Sequence, residues 1–256
     1  RRQRQMCIRD RYYNRETVEG KDPTNGYASK ADNWSKNLVL ETMATYNKTF
    51  NRNHSLNVVA AFSYERGDYG NKAMVATGFP QDLTEDFDMS AAVNPQKPTS
   101  GRGMTSLVSF LGRANYNLMN KYLFTASFRR DGSSKFAPGN KWSNFASGAI
   151  AWRASEEQFI KDLNVFSNLK FRASYGQTGN QAIGAYATRD YLTVANYPIN
   201  GALASGFANL TWRGPANPDL KWETTSQYNV GVDMGFFQNR INLTIDLYYK
   251  LSLIHI

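Results

Sequence analysis

The sequence predicts an all-β protein: an antiparallel transmembrane β-barrel segment of about eight strands, with long extracellular loops and short periplasmic turns. Three observations lead there. Apolar and polar residues alternate with period two in stretch after stretch, a pattern no helix of 3.6 residues per turn produces. The alternating stretches run to about ten residues, the length a tilted strand needs to cross a bilayer core, where soluble strands average roughly five or six. The connections between them alternate short and long, as they do between the two rims of an outer-membrane barrel.

The elements follow in chain order. Leu38, Leu40, Thr42, Ala44 and Tyr46 alternate with Val39, Glu41, Met43, Thr45 and Asn47, and a short turn at Asn51-Arg52-Asn53 leads into a strand carrying Leu56, Val58, Ala60, Phe62 and Tyr64 on one face. A second hairpin joins Met104–Asn117 to Tyr122–Arg130 across Leu118-Met119-Asn120-Lys121, with Tyr122, Phe124, Ala126 and Phe128 on one face and Thr125, Ser127 and Arg129 on the other. Asn144–Arg153 directs Ala146, Gly148, Ile150 and Trp152 outward, and Leu169–Gly176 sets Leu169, Phe171, Ala173 and Tyr175 against Lys170, Arg172 and Ser174. The clearest pair comes last: Tyr228, Val230, Val232, Met234 and Phe236, a polar turn at Gln238-Asn239-Arg240, then Ile241, Leu243, Ile245, Leu247 and Tyr249 opposite Asn242, Thr244, Asp246, Tyr248 and Lys250. Long connections are expected at Arg66–Arg102, Asp131–Lys141 and Gln177–Lys221. The remaining link, Ala154–Asn168, lies on the short side; Ser155-Glu156-Glu157-Gln158 reads there as a capping box opening a short helix to about Leu163, with Phe159, Ile160 and Leu163 packed on the rim.

Composition narrows the function classes. The chain has 256 residues, 30 Lys and Arg against 21 Asp and Glu for a net charge of +9, one Cys and two His. One Cys excludes an internal disulfide framework, two His make a multi-histidine metal centre an unlikely design, and no run of 18 apolar residues provides a membrane helix. A mean hydropathy of -0.55 beside so many alternating strands fits a wet, polar barrel lumen. A charge of +9 suggests nucleic acid at first, but residues 1–11 supply five Arg and one Asp, leaving +5 for the rest, and no nucleic-acid partner is expected. Those residues, RRQRQMCIRDR, and the final LSLIHI resemble translated sequencing-adapter read-through. Residues 1–11 and 251–256 are therefore expected to be non-native tails around a partial barrel domain at 12–250.

Several strings carry a family resemblance: LGRANY at 111–116, KYLFTASFRRDGSS at 121–134 with Phe136, AWRASEE at 151–157, LKFRASYGQTGN at 169–180, NPDLKWETT at 217–225 and YNVGVD at 228–233. Together and in this order, over about Asn37 to Lys250, they resemble the barrel of SusC/RagA-type TonB-linked outer-membrane proteins, a TonB-dependent receptor family. The resemblance implies an importer of glycan or peptide oligomers in the outer membrane of a Bacteroidota cell. It implies a SusD-like lipoprotein partner over the barrel mouth and energy from the TonB complex through a plug domain. Barrels of this kind have about 22 strands. Eight are part of one, and the plug, TonB box, signal peptide and final strand are expected outside this segment. No cofactor is implied.

The chemistry-bearing residues are few. Arg129-Arg130-Asp131-Gly132 has the look of an anion site but reads better as a strand end with Asp131-Gly132 making the reversal. The glycines of Gly176-Gln177-Thr178-Gly179 lack the Lys-Ser/Thr of a phosphate loop. Arg113, Arg129, Arg172, Asp233 and Asp246, together with Glu41 and Lys170, are candidate lumen charges, expected to pair across strands or to face the plug. Tyr186, Tyr191, Tyr197, Phe207 and Trp212, in the longest connection, are candidate contacts for ligand or lipoprotein, since aromatic faces with polar tips stack on sugars and pack on proteins; packing within the loop itself explains them equally well. No catalytic cluster assembles around His54 and no metal ligands are expected. The alternatives are a surface adhesin or soluble β-sandwich binding protein, and a barrel protease or lipase. A continuous apolar belt roughly 25 Å tall on one face separates the barrel from the first two.

Overall fold

Alternation becomes ladders. In the computed structural model, which describes residues 2–14, 26–189, 192–199, 202–209, 217 and 219–253, with residues 192–199 and 202–209 described by backbone alone, the long strands are β1 (Arg2–Tyr13), β2 (Tyr27–Phe50), β3 (His54–Thr77), β5 (Thr99–Leu118), β6 (Tyr122–Ser133), β7 (Trp142–Arg153), β8 (Phe166–Asn180), β11 (Glu223–Phe236) and β12 (Ile241–Leu253). They pair in the sheet order β1-β2-β3-β5-β6-β7-β8-β11-β12. A two-residue strand, β4 (Asn94–Pro95), pairs with β3, and β9 (Leu192–Ile199) with β10 (Ala202–Asn209) forms a separate hairpin. The pairings β1–β2, β3–β4, β5–β6, β6–β7, β7–β8, β8–β11, β11–β12 and β9–β10 are antiparallel. Among the described residues the sheet ends at β1 and β12 and is not closed.

The residues divide into two compact units, 1–40 with 65–106, and 41–64 with 107–256. The first holds β1 against the start of β2, with Tyr12 opposite Ala28, and a small core of Ala28, Ala76, Phe79 and Ala92 that Tyr12 and Met89 cover. Lys30 pairs with Asp86 at 3.4 Å. Two rings in this unit lie where a side chain would project from a glycine, Trp34 over Gly70 and Tyr69 over Gly103. The ring covers the gap in the pleat and holds adjacent strands in register.

The second unit carries the two-faced wall. Cross-strand neighbours run Tyr116-Phe124-Ile150-Ala173-Val230-Leu247 along one row and Tyr122-Trp152-Phe171-Val232-Ile245 along the next. Ring contacts bridge neighbouring strands on this side: Trp152 stacks with Phe171 at 5.7 Å, and Tyr175 with Tyr228 at 4.8 Å and Phe62 with Phe110 at 5.3 Å meet tilted. Between them run the polar rows, among them Asn115-Thr125-Ala149-Ser174-Asn229. The apolar side is not buried: Ile150 is 56% exposed, Val230 58% and Leu247 73%. A soluble sandwich would cover such a face. From Ile241 to Tyr249 the outer side chains extend ~27 Å at ~3.4 Å per residue, or ~20 Å of height at a ~40° tilt, most of a ~25 Å band.

The turns match expectation closely. Asn51 and Arg52, Met119 and Asn120, and Phe237, Gln238 and Asn239 have positive φ, the conformation that closes a tight hairpin. The long connections are shorter than expected. β3 continues to Thr77 and β5 starts at Thr99, so Arg66–Arg102 contracts to a loop at 78–98. The polar residues there lost the alternation because no lipid dictates it, while backbone pairing continued. Asp131-Gly132 is not a reversal; both residues sit in β6, opposite Ser143 and Trp142, and the chain turns at 134–141. Gly132 is instead a close approach, with the Trp142 ring 2.8 Å from where a Cβ would stand. β1 adds a ninth long strand to the eight expected, pairing Arg2–Tyr13 with Tyr27–Leu38.

The link after β7 also differs. A 3-10 turn at Ala154–Glu156 precedes a one-turn helix, α1 (Gln158–Lys161), whose N-cap is Glu157 with no side-chain cap. Phe159 and Leu163 are exposed rather than packed on the rim. The Glu157 carboxylate is used elsewhere: it accepts from Lys121 Nζ at 2.8 Å, Tyr122 Oη at 2.8 Å and Trp152 Nε1 at 3.4 Å. The Lys121 hydrogen bond, then that of Tyr122, holds the Glu157 carboxyl below its ordinary 4.5, and the same pair raises Lys121 above 10.5. A depressed carboxyl stabilises above its unfolded pKa and loses that contribution as pH falls through the folded value; a raised lysine contributes below 10.5 and loses it as pH rises through its folded value. The protection factors of residues 154–165 against hydrogen exchange, with the pH dependence of the intrinsic rate removed, are therefore expected to hold from neutral pH down to about 4.5 and to fall in stronger acid and in strong base. Glu157→Gln should accelerate it at pH 7; equal exchange in both proteins would show that the cluster does not hold the link.

Candidate functional site

On the polar face, β8, β11 and β12 bring three of the candidate charges together. Register places Gly231 between Arg172 on β8 and Asp246 on β12, with Asp233 one pleat along, opposite Lys170 and Thr244. Arg172 Nη2 donates to Asp233 Oδ1 at 3.0 Å and to Asp246 Oδ1 at 3.1 Å, and its Nε lies 2.9 Å from Asp233 Oδ2 in ion-pair contact. Lys170 Nζ stands 3.9 Å from Asp233, and Thr244 Oγ1 donates to the same carboxylate at 3.2 Å. Two cations and two carboxylates balance. One guanidinium thus fastens three strands, reaching across the middle one because Gly231 has no side chain: a Cβ there would meet the Asp246 carboxylate and stand 3.0 Å from Arg172 Nη2.

Gly231 is the residue sequence reasoning missed, although the Gln238-Asn239 turn fixes the register that puts Asp246 opposite it. Gly231→Val should separate Arg172 from Asp246 and cost ~1–3 kcal/mol, the range for an interrupted charged hydrogen bond. On that background Asp246→Asn should add almost nothing, whereas alone it should be destabilising. Unfolding midpoints of the four proteins check this; additive losses would show that the two residues do not share one interaction.

The other candidate charges lie apart. Arg129 Nε contacts Asp131 on its own strand at 2.8 Å, and its Nη2 donates to Ser109 across the ladder at 3.3 Å. Arg113 is exposed opposite Ser127 and makes no ion pair among the described residues. An uncharged ladder adjoins it that the sequence did not reveal: Thr125 Oγ1 donates to Asn115 Oδ1 at 2.9 Å, Asn115 Nδ2 to Asn57 Oδ1 at 2.9 Å, and Asn57 Nδ2 to Asn47 Oδ1 at 2.5 Å. Four strands share one directional chain of hydrogen bonds. Only register makes those amides neighbours.

At the long-loop end, a buried corner supports the 177–221 connection. Phe136, Phe145 and Trp222 pack together, with Leu107, Ile183 and Leu220 against them. Trp222 stands 5.0 Å from Phe136 and 5.6 Å from Phe145, and its Nε1 donates to Lys141 O at 2.9 Å. The Phe145 ring also occupies the space above Gly179. Of the loop aromatics, Tyr186 is half-buried at a positive φ of 63°, with the Arg189 guanidinium 5.8 Å over its ring. Tyr191 and Trp212, and the side chains of Tyr197 and Phe207 on the β9–β10 hairpin, lie outside the described residues. Among the described residues no group of three or more His, Cys, Asp or Glu is arranged to hold a metal, and no helix is long and apolar enough to cross a membrane.

A wall of long antiparallel strands, apolar and exposed on one face, hydrogen-bonded and charge-balanced on the other, defines a segment of a membrane β-barrel. The chain belongs to the TonB-dependent receptor-like β-barrel family, whose model matches residues 5–251. It is 37% identical over 217 residues to TonB-dependent receptor P3 of Formosa agariphila, covering 83% of this chain and 21% of that protein. To TonB-dependent receptor SusC of Bacteroides thetaiotaomicron it is 42% identical over 150 residues, 57% of this chain and 15% of that one. Among solved structures, that of the RagAB peptide transporter superposes with a TM-score of 0.82 and 25% identity over 98% of this chain and 28% of the other. The chain thus spans about a fifth of the length of the curated relatives it matches.

Proposed function

We propose that this chain forms part of the wall and outer loops of an outer-membrane, TonB-dependent importer of oligomeric nutrients, glycan or peptide, working with a SusD-like surface lipoprotein. The observation that carries this reading is the exposed apolar face, continuous across β5, β6, β7, β8, β11 and β12 and backed by a polar one. Lipid is the solvent for the first and a wet lumen for the second. The similarity to a peptide transporter over 98% of the chain supports peptide as one cargo class, and the similarity to SusC supports the same barrel type. A soluble sandwich would cover the apolar face with a second sheet, and an adhesin in water would leave it exposed.

In this reading the Arg172–Asp233–Asp246 cluster lines the lumen and stiffens the wall beside a plug, while Arg113 and Arg129 present charge to it. Tyr186, Tyr191, Tyr197, Phe207 and Trp212 meet the oligomer or the lipoprotein. Residues 1–11 and 251–256 are read as non-native tails, so neither task is assigned to them although 2–11 and 251–253 pair into the sheet. Uptake of labelled oligopeptides and oligosaccharides by cells carrying the full-length gene tests the proposal. Accumulation of one class should require the gene, the neighbouring lipoprotein gene and a functional TonB complex. Accumulation that persists without TonB would contradict it.

A further inference from the structure

The link between β7 and β8 lies on the apolar side of the wall. Its Glu157 is held by Tyr122 and Trp152, whose rings belong to the apolar row Tyr122-Trp152-Phe171. Beyond Glu157 the link and the adjoining turn frame an open groove of about 860 Å³. One wall is apolar: Val165, Phe166, Phe236 and Phe237, with the Phe166 and Phe236 rings in tilted contact at 5.3 Å. The mouth is charged, with Glu156 and Lys161 paired at 2.9 Å. The Lys161 hydrogen bond keeps the Glu156 carboxyl below its usual range, so it is a carboxylate at neutral pH. Phe237 is 72% exposed and Val165 54%.

We propose that this groove binds a glycerophospholipid with a zwitterionic phosphoethanolamine headgroup, drawn from the periplasmic leaflet. The acyl chains continue the apolar belt onto Phe166, Phe236 and Phe237. The phosphate meets Lys161 and the headgroup ammonium meets Glu156, an arrangement that pairs both signs where a purely anionic lipid would leave Glu156 opposed. β8 and β11 are already paired on both sides, β8 with β7 and β11, β11 with β8 and β12, so no further strand adds to the ladder beside the groove. The groove lies at the short-turn end of the wall, and aromatic rings with polar tips favour that boundary between acyl chains and headgroups. The inference rests on the membrane reading above.

The test uses the full-length receptor reconstituted in bilayers containing phosphatidylethanolamine with a photoactivatable group on one acyl chain, with phosphatidylcholine and phosphatidylglycerol analogues in parallel. Crosslinks should concentrate in 159–167 and 236–238 with phosphatidylethanolamine, at least about fivefold above the other two lipids. Lys161→Glu should abolish that preference; Lys161 is half-exposed, and heat-modifiable gel mobility confirms that the variant is folded. Equal labelling by all three lipids, or a preference that survives Lys161→Glu, would overturn the site. Labelling of the belt around Ile150 and Val230 with none in the groove would overturn the site while leaving the membrane reading intact. Labelling of neither would overturn both.

Discussion

Val230→Lys is expected to cost ~2–4 kcal/mol of folding stability in a bilayer, whereas Asn229→Lys, one residue away, should cost less than about 1. The two positions share a strand, an exposure to the surface of the sheet and almost the same height. They differ in face: Val230 lies in the row with Ile150, Ala173 and Leu247, Asn229 in the row with Ala149 and Ser174. The difference comes from transfer of an ammonium into hydrocarbon near the middle of the band, where it meets neither water nor an opposite charge. Equilibrium unfolding from vesicles by urea measures both. Similar losses for the two variants would mean that both faces see the same solvent, and would favour a soluble sandwich.

Trp222→Ala should have the second large effect, ~3–5 kcal/mol, the range for removing a buried Trp or Phe ring. The side chain is 6% exposed, lies between Phe136 and Phe145, and satisfies its indole N–H on Lys141 O. Its loss removes one wall of the corner from which the 177–221 connection departs. Trp222→Phe keeps most of the ring packing and forfeits the hydrogen bond, so about 1 kcal/mol is expected. Protease cutting within 181–221 of the folded full-length protein should follow the same order. Unchanged cutting in Trp222→Ala would show that the loop is anchored elsewhere.

The face assignments were legible in the sequence because period two is a local signal. Tyr228 to Phe236 and Ile241 to Tyr249 could be written as opposite faces from spacing alone, and their register followed from the turn between them. Strand length was legible only where lipid constrains one face. β2 and β3 reach 24 residues each because backbone pairing outlasts the alternation, and the polar continuation from Tyr27 to Asn37 gave no period to read. The same limit explains the contracted 78–98 loop and the β9–β10 hairpin inside the longest connection. Of the candidate site, Arg172, Asp233 and Asp246 were identifiable as charges on the polar face. Their convergence needed the side-chain-free position at Gly231, and a glycine in a strand announces closeness without saying to what. The Asn47–Asn57–Asn115–Thr125 ladder and the capture of Glu157 by Tyr122 and Trp152 link residues far apart in the chain, and only the assembled sheet brings them together.

The central claim is that one face of this wall meets lipid and the other meets water. A spin-label scan tests it most directly: single cysteine substitutions at each position from Gln227 to Met234, made in full-length protein with every other cysteine replaced by Ser, then labelled and reconstituted in bilayers. Collision with dissolved oxygen, which concentrates in hydrocarbon, is expected to peak at 228, 230, 232 and 234. Collision with a water-soluble nickel chelate should peak at 229, 231 and 233. A profile without period-two alternation, or one with the two probes in the reverse phase, would contradict it.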